Sequence, residues 1–253
     1  MTRTHIAALA FLTAAIGGAA ASAATTTASG GLAISPAIIE HTAAPGAVGQ
    51  LRVANGSNRS IAVRIRARPW VQARSGAVDA DSRRTLPQIR LGATAFTLAP
   101  GEARTVAATL LSRPGSDSLY GAIEVLGTPK GGSTANGVKV RYRLLGGLRL
   151  SPTPARRKLR VRVGPASADG TNAVLAVRNL GNTVEPISGA SRIVSASGTL
   201  RDTIAAQRIL PGSLVDLRLH RGRLPRGTYT ATVTLRQAGH KIASATKRFR
   251  VTR

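Results

Sequence analysis

The chain has 253 residues, and 36 Lys and Arg set against 10 Asp and Glu give a formal charge of +26. A hydrophobic share of 43% excludes a disordered polycation, while only 3% aromatic residues predicts cores of Val, Leu, Ile and Ala. The lack of cysteine excludes a disulfide scaffold, thiol catalysis and cysteine-ligated zinc.

Residues 1–23 read as a secretory signal peptide. Arg3 supplies the positive start, Ile6–Ile16 an uncharged run, and Ala21-Ser22-Ala23 the small-x-small cleavage pattern. That run is too short to cross a bilayer, and no later stretch reaches the roughly 18 apolar residues a span needs. The expectation is an exported protein without a transmembrane span: periplasmic, cell-wall-associated or extracellular.

From Ala24 onward, short alternating runs are separated by Gly, Pro, Asn and Ser, which predicts an all-β chain. In Ile61–Arg66 the odd positions are apolar and the even ones small or charged, as in a strand with one dry and one wet face. Three landmarks recur in order. Leu51–Asn55 matches Leu175–Asn179, Leu98–Gly101 matches Ile209–Gly212, and Tyr120–Leu126 matches Tyr229–Leu235. Their offsets are 124, 111 and 109 residues, and extra residues around Ser75–Arg90 account for the first step. Tandem duplication follows, with two immunoglobulin-like β-sandwich domains at 24–147 and 148–253. The Gly227-Thr228-Tyr229 step suits a tyrosine corner, and Lys130–Gly137 has the composition of a flexible hairpin loop.

Val138–Leu150 is the most informative segment. Val138, Val140, Tyr142, Leu144, Leu148 and Leu150 share one parity, and Lys139, Arg141, Arg143 and Arg149 the other, so an apolar row backs a basic row. One reading is an edge strand that pairs with a partner through Val138, Val140, Tyr142 and Leu144. The other is an ordinary last strand whose arginines are its solvated face. Residues 131–163 hold 9 basic and no acidic residues, and Arg156, Arg157 and Lys158 continue the run. Such a patch is suited to anionic envelope polymers. Nucleic acid is not expected, since no groove-entering helix and almost no interleaved aromatics accompany it.

Catalysis finds no foothold. His41, His220 and His240 share no spacing, Asp79-Ala80-Asp81 reads as a solvated loop, and no nucleophile-elbow, zinc or phosphate-loop motif occurs. No enzyme activity, metal or cofactor is expected.

The layout resembles the periplasmic pilus-assembly chaperones, a family of two immunoglobulin-like domains joined in an L. Ile34-Ser35-Pro36 resembles its first strand, Leu51–Asn55 its strand ending in Asn, and Val63–Trp70 its strand ending in Trp. Phe96–Val106 and Pro114–Val125 resemble the Pro-Gly segment and the strand that follows. The resemblance implies an exported protein subunit as partner, completed by a strand donated from Val138–Leu150. It also implies two basic residues that anchor the subunit's terminal carboxylate. Those positions fall at Ile38 and Gly147, which carry no charge, and the cations nearest in sequence are Arg141, Arg143 and Arg149.

Overall fold

Period-two alternation yields strands almost throughout the computed structural model, which describes residues 31–131, 134–135 and 138–252. The expected signal segment lies outside the described residues, as do the side chains of 134, 135, 138 and 139. In chain order the strands are β1 (Leu32–Ser35), β2 (Ile38–Thr42), β3 (Gly46–Asn55), β4 (Ile61–Gln72), β5 (Val78–Ala80) and β6 (Ile89–Leu91). Next come β7 (Ala95–Leu98), β8 (Ala103–Leu110), β9 (Leu119–Pro129), β10 (Thr134–Ala135), β11 (Val138–Lys139) and β12 (Tyr142–Ser151). After a 3-10 turn at Pro154–Arg156 follow β13 (Val161–Asp169), β14 (Asn172–Asn179), β15 (Ile187–Ser195) and β16 (Gly198–Gln207). The last three are β17 (Leu214–Arg218), β18 (Gly227–Gln237) and β19 (His240–Val251).

The first sandwich packs a sheet of order β1-β3-β8-β6 against one of order β2-β12-β9-β4-β5, with β7 also on β4. Its core centres on Leu51, Ile61, Ile65, Leu98, Leu110, Ile123, Leu148 and Leu150. The second packs β13-β14-β17 against β16-β15-β18-β19 around Leu175, Ile187, Ile193 and Ile209. The chain is thus all-β, in two immunoglobulin-like sandwiches. Leu148 and Leu150 belong to the first core, so β12 runs to Ser151, past the expected join at 147/148. Gly146 and Gly147 lie inside the strand. A Cβ on them would meet Leu51 at 3.4 Å and Ile38 at 3.3 Å, so they admit close neighbours rather than ending the strand.

The first two repeated landmarks meet in space, in the same way in both domains. The Asn55 amide donates to the carbonyls of Arg59, Leu98 and Ala99, and its oxygen accepts the Ser57 N–H. Asn179 donates to Thr183 and Ile209 and accepts from Gly181. The Gly101 and Gly212 N–H groups then bond back to the Asn55 and Asn179 carbonyls. The third landmark is out of step. Tyr229 points into its core, its hydroxyl donating to the Pro225 carbonyl at 2.8 Å, whereas Tyr120 points outward to the Asn182 carbonyl of the other domain at 3.1 Å. A one-residue offset between the copies reverses the face.

The extra residues of the first copy reach the second domain. β4 outruns its sheet and turns through Ala73–Ala77 into β5. At the tip, the Arg74 carbonyl accepts the Asp216 N–H from β17, and the Arg74 guanidinium grips the Asp216 carboxylate at 2.8 and 2.6 Å. Gln72 donates to the Arg208 carbonyl and accepts the Leu210 N–H, both at 2.9 Å.

Candidate functional site

The first domain has one half-open edge. β12 pairs with β9 along its full length, from Tyr142 opposite Gly127 to Leu150 opposite Leu119. On its other side it meets β2, in parallel, only from Gly147 to Ser151. The reason is local: the chain's first strand is divided. β1 lies on β3 in the opposite sheet, and only after Ser35-Pro36 does β2 cross to β12. Strand residues direct their N–H and C=O alternately to the two sides. The Gly147 N–H bonds to the Ala37 carbonyl on the β2 side, so the like-oriented groups of Arg143 and Leu145 face an edge that no described strand covers.

The expected partner-binding row divides at this edge. Strand pairing is interrupted at Val140 and Arg141, which separates β11 from β12. Val140 is 38% exposed. Tyr142 and Leu144 are half-buried and lean on the first domain's own core. The side chains of Val138 and Lys139 fall outside the described residues.

The basic run is largely matched by acids from elsewhere in the chain. Arg143 binds Glu124 at 2.8 Å and Asp79 at 3.2 Å, and Arg149 binds Glu40 at 2.7 Å. Arg156 meets Asp117 at 2.9 Å and Arg157 meets Glu185 at 2.8 Å. Arg141 and Lys158 are exposed. Asp79 is therefore an ion-pair partner, while Asp81 accepts the N–H groups of Arg83 and Arg84.

Sequence alternation placed Arg64 and Arg66 of β4 on a wet face, where both are exposed, but did not reach the buried one, Arg68. Arg68 is 5% exposed and Glu124 3%, and the two bond side chain to side chain. Arg68 also donates to the carbonyls of Asp81, Ser82 and Arg84, which fastens the 81–84 loop over it. Burial pushes the Glu124 carboxyl upward, but bonds and charge from Arg143 and Arg68 outweigh it and hold the group below the usual carboxylate range. A lone Glu amid Gly121–Leu126 was the available signal.

Where the free edge meets β2, a cavity of about 330 Å³ opens between the domains. Ile38, Trp70, Tyr120 and Leu145 wall it from the first domain, Val184 and Leu210 from the second, and Arg149 and Arg208 supply its cations. Ile38 and Gly147 face each other in the ladder here, so the two positions implied as anchors do meet, without charge.

No family model and no curated protein matches the sequence. Solved structures do match in fold. A structure described as a chaperone–tip adhesin complex of CFA/I fimbriae biogenesis aligns at a TM-score of 0.53 and 10% identity, over 87% of this chain and 98% of that one. The class 5 fimbriae chaperone CfaA aligns at 0.51 and 13%, over 87% and 99%. The likeness is one of fold, two immunoglobulin-like sandwiches in tandem, and its coverage takes in both domains. No helix among the described residues is long and apolar enough to cross a membrane.

Proposed function

We propose that this protein is an exported, non-enzymatic chaperone that holds an assembly subunit by strand addition at the Arg143–Leu145 edge of β12. The uncovered N–H and C=O groups of these two residues carry the proposal. A partner strand there continues the line of β2 and leads into the interdomain cavity, where Arg208, which no carboxylate engages among the described residues, receives a terminal carboxylate in place of the uncharged Ile38 and Gly147. Val140 and the β10–β11 hairpin extend the contact outward along the same line, with Val138, Tyr142 and Leu144 beside it. The tip adhesin held by the similar fimbrial chaperone supports an assembly subunit as the class of partner. A polymer-binding role for the basic run is less well supported, because Arg143, Arg149, Arg156 and Arg157 already face carboxylates.

Leu145→Pro tests the reading. Proline removes only the N–H that faces the free edge and leaves the β9 ladder intact, so the fold should survive with a small loss of melting temperature. Subunit co-purification from the envelope should fall at least tenfold, and in the wild-type complex the Arg143 and Leu145 amides should become protected from hydrogen exchange. Unchanged capture by Leu145→Pro, with those amides still exchanging freely, would refute strand addition.

A further inference from the structure

The outer face of β16-β15-β18-β19, on the second domain, is a platform of cations that takes no part in strand capture. Residues directly opposite in a ladder share a face. The registers therefore place Arg201, Arg192, Thr232 and Thr246 in one row, and Thr199, Val194, Thr230 and Arg248 in the next. Arg236 with Lys241 and Thr228 with Arg250 continue the same face beyond them. All six cations are exposed, and none meets a carboxylate among the described residues.

The second domain's acids are engaged elsewhere or sit off this face. Asp216 holds Arg74, Glu185 holds Arg157, Asp202 bonds His220, and Asp169 ends β13 in the other sheet. Two pairs on the platform, Arg192 with Arg201 and Arg236 with Lys241, set like charges directly opposite one another. That arrangement costs stability unless an anion lies over it. The shape is also informative. The four strands have 9 to 12 residues each, a sheet roughly 30 Å by 15 Å. The second domain's Tyr229 and Phe249 are turned inward, so no aromatic stands on the face to stack on a base or sugar.

We infer that this face docks on an anionic phospholipid bilayer surface. Broad extent, cations on every strand and interleaved threonine hydroxyls suit a plane of phosphodiesters. A single soluble polyanion chain would instead be served by a groove, whereas these cations are spread over all four strands of an open sheet face.

The test is co-sedimentation of the full mature chain with vesicles at about 50 mM salt, where the Debye length exceeds 10 Å. Vesicles of 70% phosphatidylcholine and 30% phosphatidylglycerol should retain the protein, and pure phosphatidylcholine should not. Arg192→Glu, Arg201→Glu and Arg248→Glu together should weaken retention about 100-fold. The same change of net charge on the first domain, through Arg52→Glu, Arg59→Glu and Arg90→Glu, should weaken it less than fivefold. Should the triple Glu variant fail to fold, the triple Gln variant replaces it, with an expected loss of at least tenfold. Equal weakening by the two triple variants would show attraction by net charge alone and overturn the inference. So would failure to bind the anionic vesicles, or a heparin affinity that falls with the platform variant while vesicle binding does not.

Discussion

The two domains share one internal joint and differ at their borders. In each, a buried asparagine at the end of one strand ties down the Pro-Gly turn of another, with Asn55 serving Leu98–Gly101 and Asn179 serving Ile209–Gly212. Around that common joint the first domain acquired a buried ion network, a half-open strand and a long hairpin. The second acquired an inward tyrosine and a wet, cationic sheet. What the two domains share holds each sandwich together, whereas the half-open strand, the hairpin and the cationic sheet, which they do not share, face solvent or the sister domain.

Three measurements bear on that contrast, starting from the largest effect. Arg68→Ala leaves Glu124 buried beside one cation instead of two and releases three carbonyls, so the first domain should lose about 3–5 kcal/mol. The chain's single tryptophan, Trp70, reports that loss in denaturant, while the second domain should melt unchanged. Melting of both domains together would show that they are not separate cooperative units. Next, Asn55→Ala and Asn179→Ala should each cost about 2–3 kcal/mol, because each strands buried carbonyls. A common joint predicts similar costs in the two domains; a gap above about 2 kcal/mol would deny the equivalence.

The smallest effect is one of pH. The Glu124 carboxyl is held below its ordinary value, so its stabilisation is complete above the unfolded value of about 4.3 and is lost as pH falls through the lowered folded one. Asp202 in the second domain is lowered too, by the N–H groups of Arg221 and Thr203 and then by His220, but no buried guanidinium holds it, so its contribution is smaller. Below about pH 4 the first domain should therefore weaken faster than the second, and Glu124→Gln should flatten its acid limb. Parallel acid limbs in the wild type and the Gln variant would remove Glu124 from the account.

The sandwiches were legible because strand alternation and Asn, Pro and Gly turns are local signals. Ile61–Arg66 alternates in sequence as it does in burial, with Ile61, Val63 and Ile65 all buried. The site was legible in place but not in detail. Alternation located the β12 strand, yet the exposure of its edge depends on where β2 begins, some 110 residues away in sequence. The basic run looked unopposed because Arg149 finds Glu40 at a separation of 109 residues and Arg143 finds Asp79 at 64. The burial of Arg68 left no mark in the sequence because its cover is a loop from the inserted segment. Tyr120 was matched to Tyr229 because a slip of one residue leaves composition almost unaltered while exchanging inside for outside.

The tip of the β4–β5 hairpin has a mechanical consequence. Two bodies joined by one short linker, here residues 152–160, can swing and twist about it. Arg74 and Gln72 fasten the second body at a point far along the chain from that linker, to the margin of β17 and to the 208–210 segment. Two separated attachments turn a swivel into a braced bracket. The spacing between Ile38 and Leu210 across the cavity is then set by the length of a strut, and a load applied at one sandwich is passed to the other as torque rather than dissipated in a loose joint.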